Sequence, residues 1–280
     1  MSVDERPLQS LAVVRCSGPD AETFLQGQLT SDITQLLDGH TQLAACVTPQ
    51  GRVLAVVRLK RSADAVDALL PAALAASLVA RLRKFVLRAK VEITELEGWS
   101  VMWGTRNPGS EAAVSGESSG LIAFGFPGGR IALARPVAAP LAADPVADSL
   151  WQAADIAAGL PQVDSPTTGH FVPQMLNLDL LDAISFTKGC YTGQEIVART
   201  QNLGRIKRRT LRYAVRSADP PEPLSALHDD GAKVGEVLMS ARVGGGVELL
   251  AVVSLDARDR PLRIATGQTA VPLPMPYLVP

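Results

Sequence analysis

The sequence contains few of the residues that build disulfide frameworks or metal clusters. Its 280 residues include three cysteines and three histidines. Cys16, Cys46 and Cys190 are odd in number, far apart and form no C-x-x-C pair, which favours a reducing compartment over a disulfide scaffold. No histidine lies three or four positions from another, so the sequence predicts no intrinsic metal site.

Long apolar runs and an excess of one charge are also absent. The most apolar segment, residues 69–80, contains Pro71 and spans about a dozen residues, whereas a membrane-crossing helix needs about 20. The first residues lack the apolar stretch of a secretory signal. The net charge of −1 argues against a generic polyanion binder. We therefore predict a cytoplasmic monomer that contacts no membrane and forms no direct, stable complex with nucleic acid.

Hydrophobic periodicity predicts an α+β chain with an all-β C-terminal part. Aromatic residues make up only 4% of the sequence, so the core must consist mainly of aliphatic side chains. After about residue 205, short β-rich runs alternate with Gly and Pro turns, which predicts a small β-barrel or sandwich. Elsewhere, the patterns predict strands over 11–16 and 87–94, a hairpin of strands 42–47 and 53–59, helices over 19–26, 71–85 and 148–158, and a mobile loop over 107–120.

One segment has the composition of a chemical site. It is Lys188-Gly-Cys-Tyr-Thr-Gly-Gln-Glu195, in which Gly189 and Gly193 bracket the cysteine and permit backbone angles or close approaches that other residues resist. Cys190 lies near the start of a predicted helix and two residues from Lys188, and both features favour the thiolate. The alternative is that Cys190 is a small buried hydrophobe, as most free cysteines are. Cys16 and Cys46 lie in apolar strands and are interpreted as structural.

Two basic clusters have different interpretations. The first, residues 81–90, lies at the end of a predicted helix, where cations are favourable because of the helix dipole. The second, residues 205–212, includes Arg208 and Arg209 and follows the chemical segment. It is either the solvated face of a strand or a binding site for a ligand that carries carboxylates or phosphates.

At this point the sequence resembles a known family. The eight residues from Lys188 to Glu195 match the K-G-C-Y-x-G-Q-E signature of YgfZ-type folate-binding proteins. The segments Phe24–Asp32, Pro173–Asp179 and Gly235–Ser240 resemble further segments of that family, in the same order. The resemblance therefore spans nearly the whole chain.

The family is related to the T-protein (aminomethyltransferase) of the glycine cleavage system, and this relation implies a fold. The implied architecture has a folate-binding domain over residues 1–200 and a C-terminal β-barrel over residues 205–280, arranged around a central opening. The first domain would have two subdomains, one formed by residues 1–45 with 145–200 and the other by residues 46–140.

The resemblance also implies roles for individual residues. Glu195 falls where the T-protein has a folate-contacting Glu, and a carboxylate can accept two N–H donors from a pterin edge. Tyr191 would pack beside the pterin ring, with an ordinary core tyrosine as the alternative. We predict that Gly193, Gln194, Arg199 and Arg208 complete the cofactor site, and that Cys190 and Lys188 carry the chemistry. Where the T-protein has an acidic pair, this chain has Ala55 and Val56, so T-protein activity is not expected.

The function implied by the resemblance is that of a tetrahydrofolate-binding accessory protein for iron–sulfur cluster biogenesis or repair. Its partners would be iron–sulfur enzymes, including the one that methylthiolates tRNA, so that tRNA modification is supported indirectly. The alternatives are a folate-dependent one-carbon transferase, which is the only form in which the chain would be an enzyme in its own right, and a purely structural scaffold.

Overall fold

A computed structural model of the chain describes residues 2–62, 64–105, 120–202 and 206–280. The chain forms two compact units. Unit 1 comprises Met1–Val47, Leu54–Asp148 and Asp182–Thr192, and unit 2 comprises Thr48–Val53, Ser149–Leu181 and Gly193–Pro280. The predicted loop over residues 107–120 lies outside the described residues except for Gly120.

The elements follow one another along the chain in an α+β order that ends in strands. The strands are β1 (Ser2–Pro7), β2 (Leu11–Ser17), β3 (Thr41–Val47), β4 (Val53–Ser62), β5 (Ala65–Pro71), β6 (Glu92–Glu95), β7 (Trp99–Thr105), β8 (Ile122–Gly125), β9 (Arg130–Pro136), β10 (Arg208–Val215), β11 (Ala226–Asp229), β12 (Ala232–Val243), β13 (Gly246–Ser254), β14 (Leu262–Ile264) and β15 (Thr269–Leu273). The α-helices are α1 (Ala21–Gln26), α2 (Ala72–Arg83), α3 (Pro145–Ala157) and α4 (Gln194–Asn202).

Unit 1 contains two sheets. The first has five strands in the order β3-β4-β5-β2-β6, and the second has four in the order β1-β7-β9-β8. Helix α2 packs on β2 and β6 because Leu74, Leu78 and Leu82 recur at helical spacing on one face and are all buried. The turn between β3 and β4 is closed by a hydrogen bond from the Gly51 N–H to the Thr48 carbonyl, so the predicted hairpin is confirmed.

Unit 2 contains a closed barrel of six strands in the order β10-β13-β12-β11-β14-β15. Alternate residues of β10, namely Leu211, Tyr213 and Val215, point into its core together with alternate residues of β13. The predicted α+β fold class with a small C-terminal β-barrel is confirmed. The predicted domain limits and the central opening stay predictions.

The strand predicted over residues 87–94 is wrong at its start. Strand β6 begins only at Glu92, and Leu87 is 87% exposed. The physical reason is register: Glu92 pairs with Ser17, the last residue of β2, so the residues before Glu92 have no neighbouring strand there. Within the described part of the chain, no helix is long and apolar enough to cross a membrane.

Candidate functional site

The signature segment, defined as residues Lys188–Glu195, contains the point at which the chain passes from unit 1 to unit 2. Lys188 to Thr192 belong to unit 1, and Gly193 to Glu195 belong to unit 2. Gly193 has φ +81°, a left-handed conformation that favours glycine. Gly189 has neither a positive φ nor any atom within 4 Å of the place a Cβ would occupy. The freedom that glycine gives the backbone is therefore used at Gly193, whereas the backbone at Gly189 would also accept other residues.

In unit 1, the signature segment lies beside the N-terminal segment that the resemblance singled out. The Thr192 N–H donates to the Gly27 carbonyl at 3.2 Å, and the Ser185 N–H donates to the Thr30 carbonyl at 2.9 Å. The Thr30 hydroxyl donates to the Ala183 carbonyl at 2.6 Å. Two segments more than 150 positions apart thus share one hydrogen-bonded structure.

Lys188 is buried in this structure and binds the neighbouring backbone. Its Nζ donates to the Leu29 carbonyl at 3.0 Å and to the Ser31 carbonyl at 2.6 Å, and it lies 5.2 Å from the centre of the Tyr191 ring. Burial lowers the pKa of Lys188 to about 8, against an opposing effect of the Asp32 carboxylate. These contacts fix the backbone just before Cys190.

Tyr191 is also buried, at 7% exposure. Burial raises the pKa of its hydroxyl to about 12. That hydroxyl has no hydrogen-bond partner among the residues that the structure describes. The ring of Tyr191 thus lies in the interior of unit 1, with the ammonium of Lys188 over it.

The three cysteines differ in their surroundings. Cys190 is exposed, whereas Cys16 and Cys46 are buried. Burial raises the pKa of Cys16 to about 12 and also raises that of Cys46, where Arg81 opposes the effect. Burial thus keeps the thiols of Cys16 and Cys46 protonated. The thiol of Cys190 is accessible to reactants and follows the backbone that Lys188 fixes.

In unit 2, the rest of the signature segment begins helix α4. Glu195 in its first turn and Arg199 in its last turn are both exposed, and a spacing of four puts them on one face. The opposite face is fixed by Val197, which is buried and whose carbonyl accepts a hydrogen bond from Gln174 Nε2 at 2.8 Å. The exposed face of α4 therefore presents the carboxylate of Glu195 and the guanidinium of Arg199, while the buried face holds the helix in place.

The β3–β4 turn packs tightly against α4. A Cβ at Gly51 would lie 2.9 Å from Cγ2 of Ile196, and Gly51 has φ +69°. Just after this turn, Ala55 and Val56 are buried in β4. These are the two positions that the resemblance places at about the acidic pair of the T-protein, and neither carries an acid or a base.

The second basic cluster separates into residues with different roles. Arg209 is buried and forms a two-pronged ion pair with Asp179, at 2.9 Å and 2.8 Å. Arg212 is bound to Glu248 across the barrel sheet. Arg208 is exposed. The structure thus assigns Arg209 and Arg212 to packing and leaves Arg208 in contact with solvent.

Sequence reasoning missed the network that surrounds Arg209. Its Nη1 also donates to the Gln174 carbonyl and to the side chain of Asn177, and Asn177 adopts a left-handed conformation with φ 57°. The signal was present in Pro173–Asp179, where polar residues interrupt an apolar run just before the signature. Over the described ranges, no group of three His, Cys, Asp or Glu side chains could hold a metal ion.

Comparisons with known proteins agree with this structure. No protein-family model matches the chain. The tRNA-modifying protein YgfZ of Edwardsiella ictaluri is 36% identical over an alignment of 298 positions, which covers 94% of this chain and 89% of the relative. The tRNA-modifying protein YgfZ of Klebsiella pneumoniae is 32% identical over 276 positions, which covers 88% and 83%.

The solved structures show the same architecture at lower identity. The crystal structure of glycine cleavage system aminomethyltransferase T from Bartonella henselae matches with a TM-score of 0.69 at 15% identity, and covers 94% of this chain and 82% of that chain. At this identity, the likeness establishes the fold alone.

Proposed function

Because this chain belongs to the YgfZ family, we propose that it is a cytoplasmic, tetrahydrofolate-binding accessory protein for the biogenesis or repair of iron–sulfur clusters, and that it supports tRNA modification indirectly. The observation that carries the proposal is the exposure of Cys190. Lys188, two residues before it, is bound to two backbone carbonyls, so the backbone that leads to the thiol is fixed.

Cys190 is the functional thiol in this proposal. As a thiolate it can attack an electrophile or bind a metal atom of a partner's cluster. Lys188 was predicted to carry chemistry with it. Its contacts favour a different contribution, because its ammonium is directed at the carbonyls of Leu29 and Ser31. We therefore assign Lys188 to the positioning of Cys190.

Residues of unit 2 would hold the folate. The exposed carboxylate of Glu195 can accept N–H donors from a pterin, with Gln194 and the Gly193 backbone beside it. Arg199 and Arg208 are exposed cations that suit the carboxylates of the glutamate tail. The residues present thus fit a reduced folate, which when bound would supply a carrier for one-carbon groups. Tyr191, being buried, supports the signature segment in place of stacking on the ligand.

The proposed partners are iron–sulfur enzymes, among them the enzyme that methylthiolates tRNA. The relatives are described as tRNA-modifying proteins, which supports a role in tRNA modification. The net charge of −1 favours an effect through a protein partner over direct binding of tRNA.

A second candidate is a folate-dependent one-carbon transferase, which the shared fold with an aminomethyltransferase favours. The buried Ala55 and Val56 argue against the T-protein version of this chemistry, because neither can accept or donate a proton. A transferase would need its acid and base from other residues.

One experiment distinguishes these candidates. In Cys190→Ser and Cys190→Ala variants, we expect unchanged tetrahydrofolate affinity and a loss of iron–sulfur enzyme activity in cells that lack the wild-type protein. Full activity without the thiol would reject the role of Cys190. Turnover of a methylated folate by the purified wild-type protein would support the transferase.

A further inference from the structure

The loop between α2 and β6 exposes two large apolar side chains. Leu87 is 87% exposed and Phe85 is 40% exposed, although side chains of these types are usually buried. We call residues 84–91 the basic loop, since they include no acid and carry three cations: Lys84, Arg88 and Lys90. Exposed apolar side chains grouped together and rimmed by polar residues are typical of an interaction site.

The charges of the basic loop are available to a partner. Lys84, Arg88 and Lys90 are exposed, and their side chains form no hydrogen bond or ion pair with any described residue. The helix dipole does not account for all three, because its effect is confined to the last turn and α2 ends at Arg83. Arg88 and Lys90 lie beyond that turn. The basic loop therefore presents positive charge that the fold of unit 1 does not use.

Contacts at both ends fix the basic loop to the rest of unit 1. At its start, Arg83 Nε and Nη2 donate to the Ile93 carbonyl at 3.0 Å and 2.7 Å, which ties the end of α2 to β6. At its other end, the Lys90 N–H donates to Asp20 Oδ2 at 2.7 Å. Gly18 leaves no room for a Cβ beside the Lys90 carbonyl oxygen, so the chain packs closely there. A loop fixed in this way loses less conformational entropy on binding than a mobile one.

The chemistry of the basic loop favours an acidic protein segment over nucleic acid. Leu87 offers an aliphatic surface, which the phosphate groups of nucleic acid do not complement. The guanidinium of Arg81 lies over the Phe85 ring, 5.4 Å from its centre, so one face of the ring is already covered. That face is not available for the stacking by which aromatic side chains bind bases. A protein segment with carboxylates around an apolar side chain matches both the charge and the apolar surface.

We propose that the basic loop docks an acidic segment of a partner protein, in which carboxylates flank an exposed apolar side chain. Leu87 and Phe85 pack against that side chain, and the three cations of the loop pair with the carboxylates around it. The apolar contact supplies most of the affinity, whereas the exposed charge pairs mainly speed association and set the orientation. The surface lies in unit 1, outside the signature segment, and does not depend on the proposed function.

Binding of a defined acidic peptide to the full chain tests this surface. The probe is a fluorescein-labelled peptide of sequence EELEELEE, and EESEESEE is its counterpart without apolar side chains. We expect Leu87→Ser to weaken binding of EELEELEE roughly three- to tenfold and to leave binding of EESEESEE unchanged, because only the first peptide can pack on Leu87. Leu278→Ser is the matched control, since Leu278 is 86% exposed in unit 2. Fluorescence anisotropy at low ionic strength measures each affinity.

A second variant tests the charge of the loop. Arg88→Gln should weaken binding of both peptides and reduce the loss of affinity on addition of salt, because one charge pair has been removed. Arg216→Gln, at an exposed arginine of unit 2, should do neither. All four substitutions are at exposed positions, so the variants should keep the thermal unfolding midpoint of the wild type.

Three results would overturn the proposal. They are no binding of EELEELEE to the wild type, an equal effect of Leu87→Ser on both peptides, and an effect of Leu278→Ser as large as that of Leu87→Ser. Bulk tRNA and phosphatidylglycerol vesicles are tested in parallel. If only one of these binds and Arg88→Gln weakens it, the loop serves that partner and the protein segment is rejected. Cys190→Ser should bind EELEELEE as the wild type does, so this assay reports on the basic loop separately from the proposed function.

Discussion

Arg209 in unit 2 and Lys60 in unit 1 are both buried cations on β-strands, and their surroundings differ completely. Arg209 donates to both oxygens of Asp179, to the Gln174 carbonyl and to Asn177. Lys60 donates to no described residue. Burial of a charge is tolerated when the donors are satisfied and is costly when they are not.

The difference shows which buried cations tie separate segments of this protein together. Arg209 ties β10 to the segment 174–179 and so belongs to the scaffold. Lys188 is an intermediate case, since two backbone carbonyls accept hydrogen bonds from its ammonium. Satisfied donors therefore indicate packing, whereas the buried ammonium of Lys60 loses its hydration without a hydrogen bond from any described residue.

The largest expected effect is the loss of the carboxylate beside Arg209. Asp179→Ala should lower the free energy of unfolding by about 3–5 kcal/mol, because it leaves a buried guanidinium without its counter-charge. Urea denaturation measures this change. Asp219→Ala is the matched control, since Asp219 pairs with Arg242 in solvent, and its loss should change stability by about 1 kcal/mol at most. Equal effects of the two substitutions would contradict the assignment of Arg209 to the scaffold.

A smaller effect should come from the titration of Lys188. Its pKa of about 8 in the folded protein lies below the usual value, so the unfolded chain binds more protons between about pH 8 and 10.5 and stability should rise with pH in that window. Between pH 7 and 9.5, we expect the wild type to gain roughly 1–2 kcal/mol relative to Lys188→Met.

Urea denaturation of both proteins at the two pH values provides the measurement. The contributions of other groups, including the buried cysteines, cancel in the difference between the two proteins. If Lys188→Met and wild type respond to pH identically, the ammonium of Lys188 is hydrated and its assigned contacts are wrong.

Local patterns were sufficient to predict most of the fold. The hairpin of β3 and β4, helix α2 and the barrel strands were predictable because each depends on periodicity or on a turn within a few residues, such as the one closed by Gly51. Strand β6 was predicted to begin five residues too early, because its start depends on where β2 ends. The pairing register of two distant strands cannot be predicted from the sequence of either strand alone.

The candidate site was predictable only in its residue types. The signature singled out Cys190 and Glu195, but it did not indicate that Lys188 binds the carbonyls of Leu29 and Ser31, at positions more than 150 residues away. The polar residues of Pro173–Asp179 were visible in the sequence, but the pairing of Asp179 with Arg209, 30 positions away, was not. Hydrogen bonds between distant segments decide which charges are satisfied, and composition does not report them.

The smallest expected effect concerns the two neighbouring arginines of β10. Arg208 is exposed and Arg209 is buried in its ion pair, so only Arg208 can be changed without harm to the scaffold. Arg208→Gln should alter the free energy of unfolding by less than about 0.5 kcal/mol. If Arg208 holds the glutamate tail, its substitution should weaken tetrahydrofolate binding roughly three- to tenfold, as expected for one partly solvated charge pair. Arg216→Gln, at an exposed arginine just after β10, is the control. Calorimetric titration with tetrahydrofolate measures both variants, and equal affinities in wild type and Arg208→Gln would remove Arg208 from the folate site while leaving the scaffold role of Arg209 unchanged.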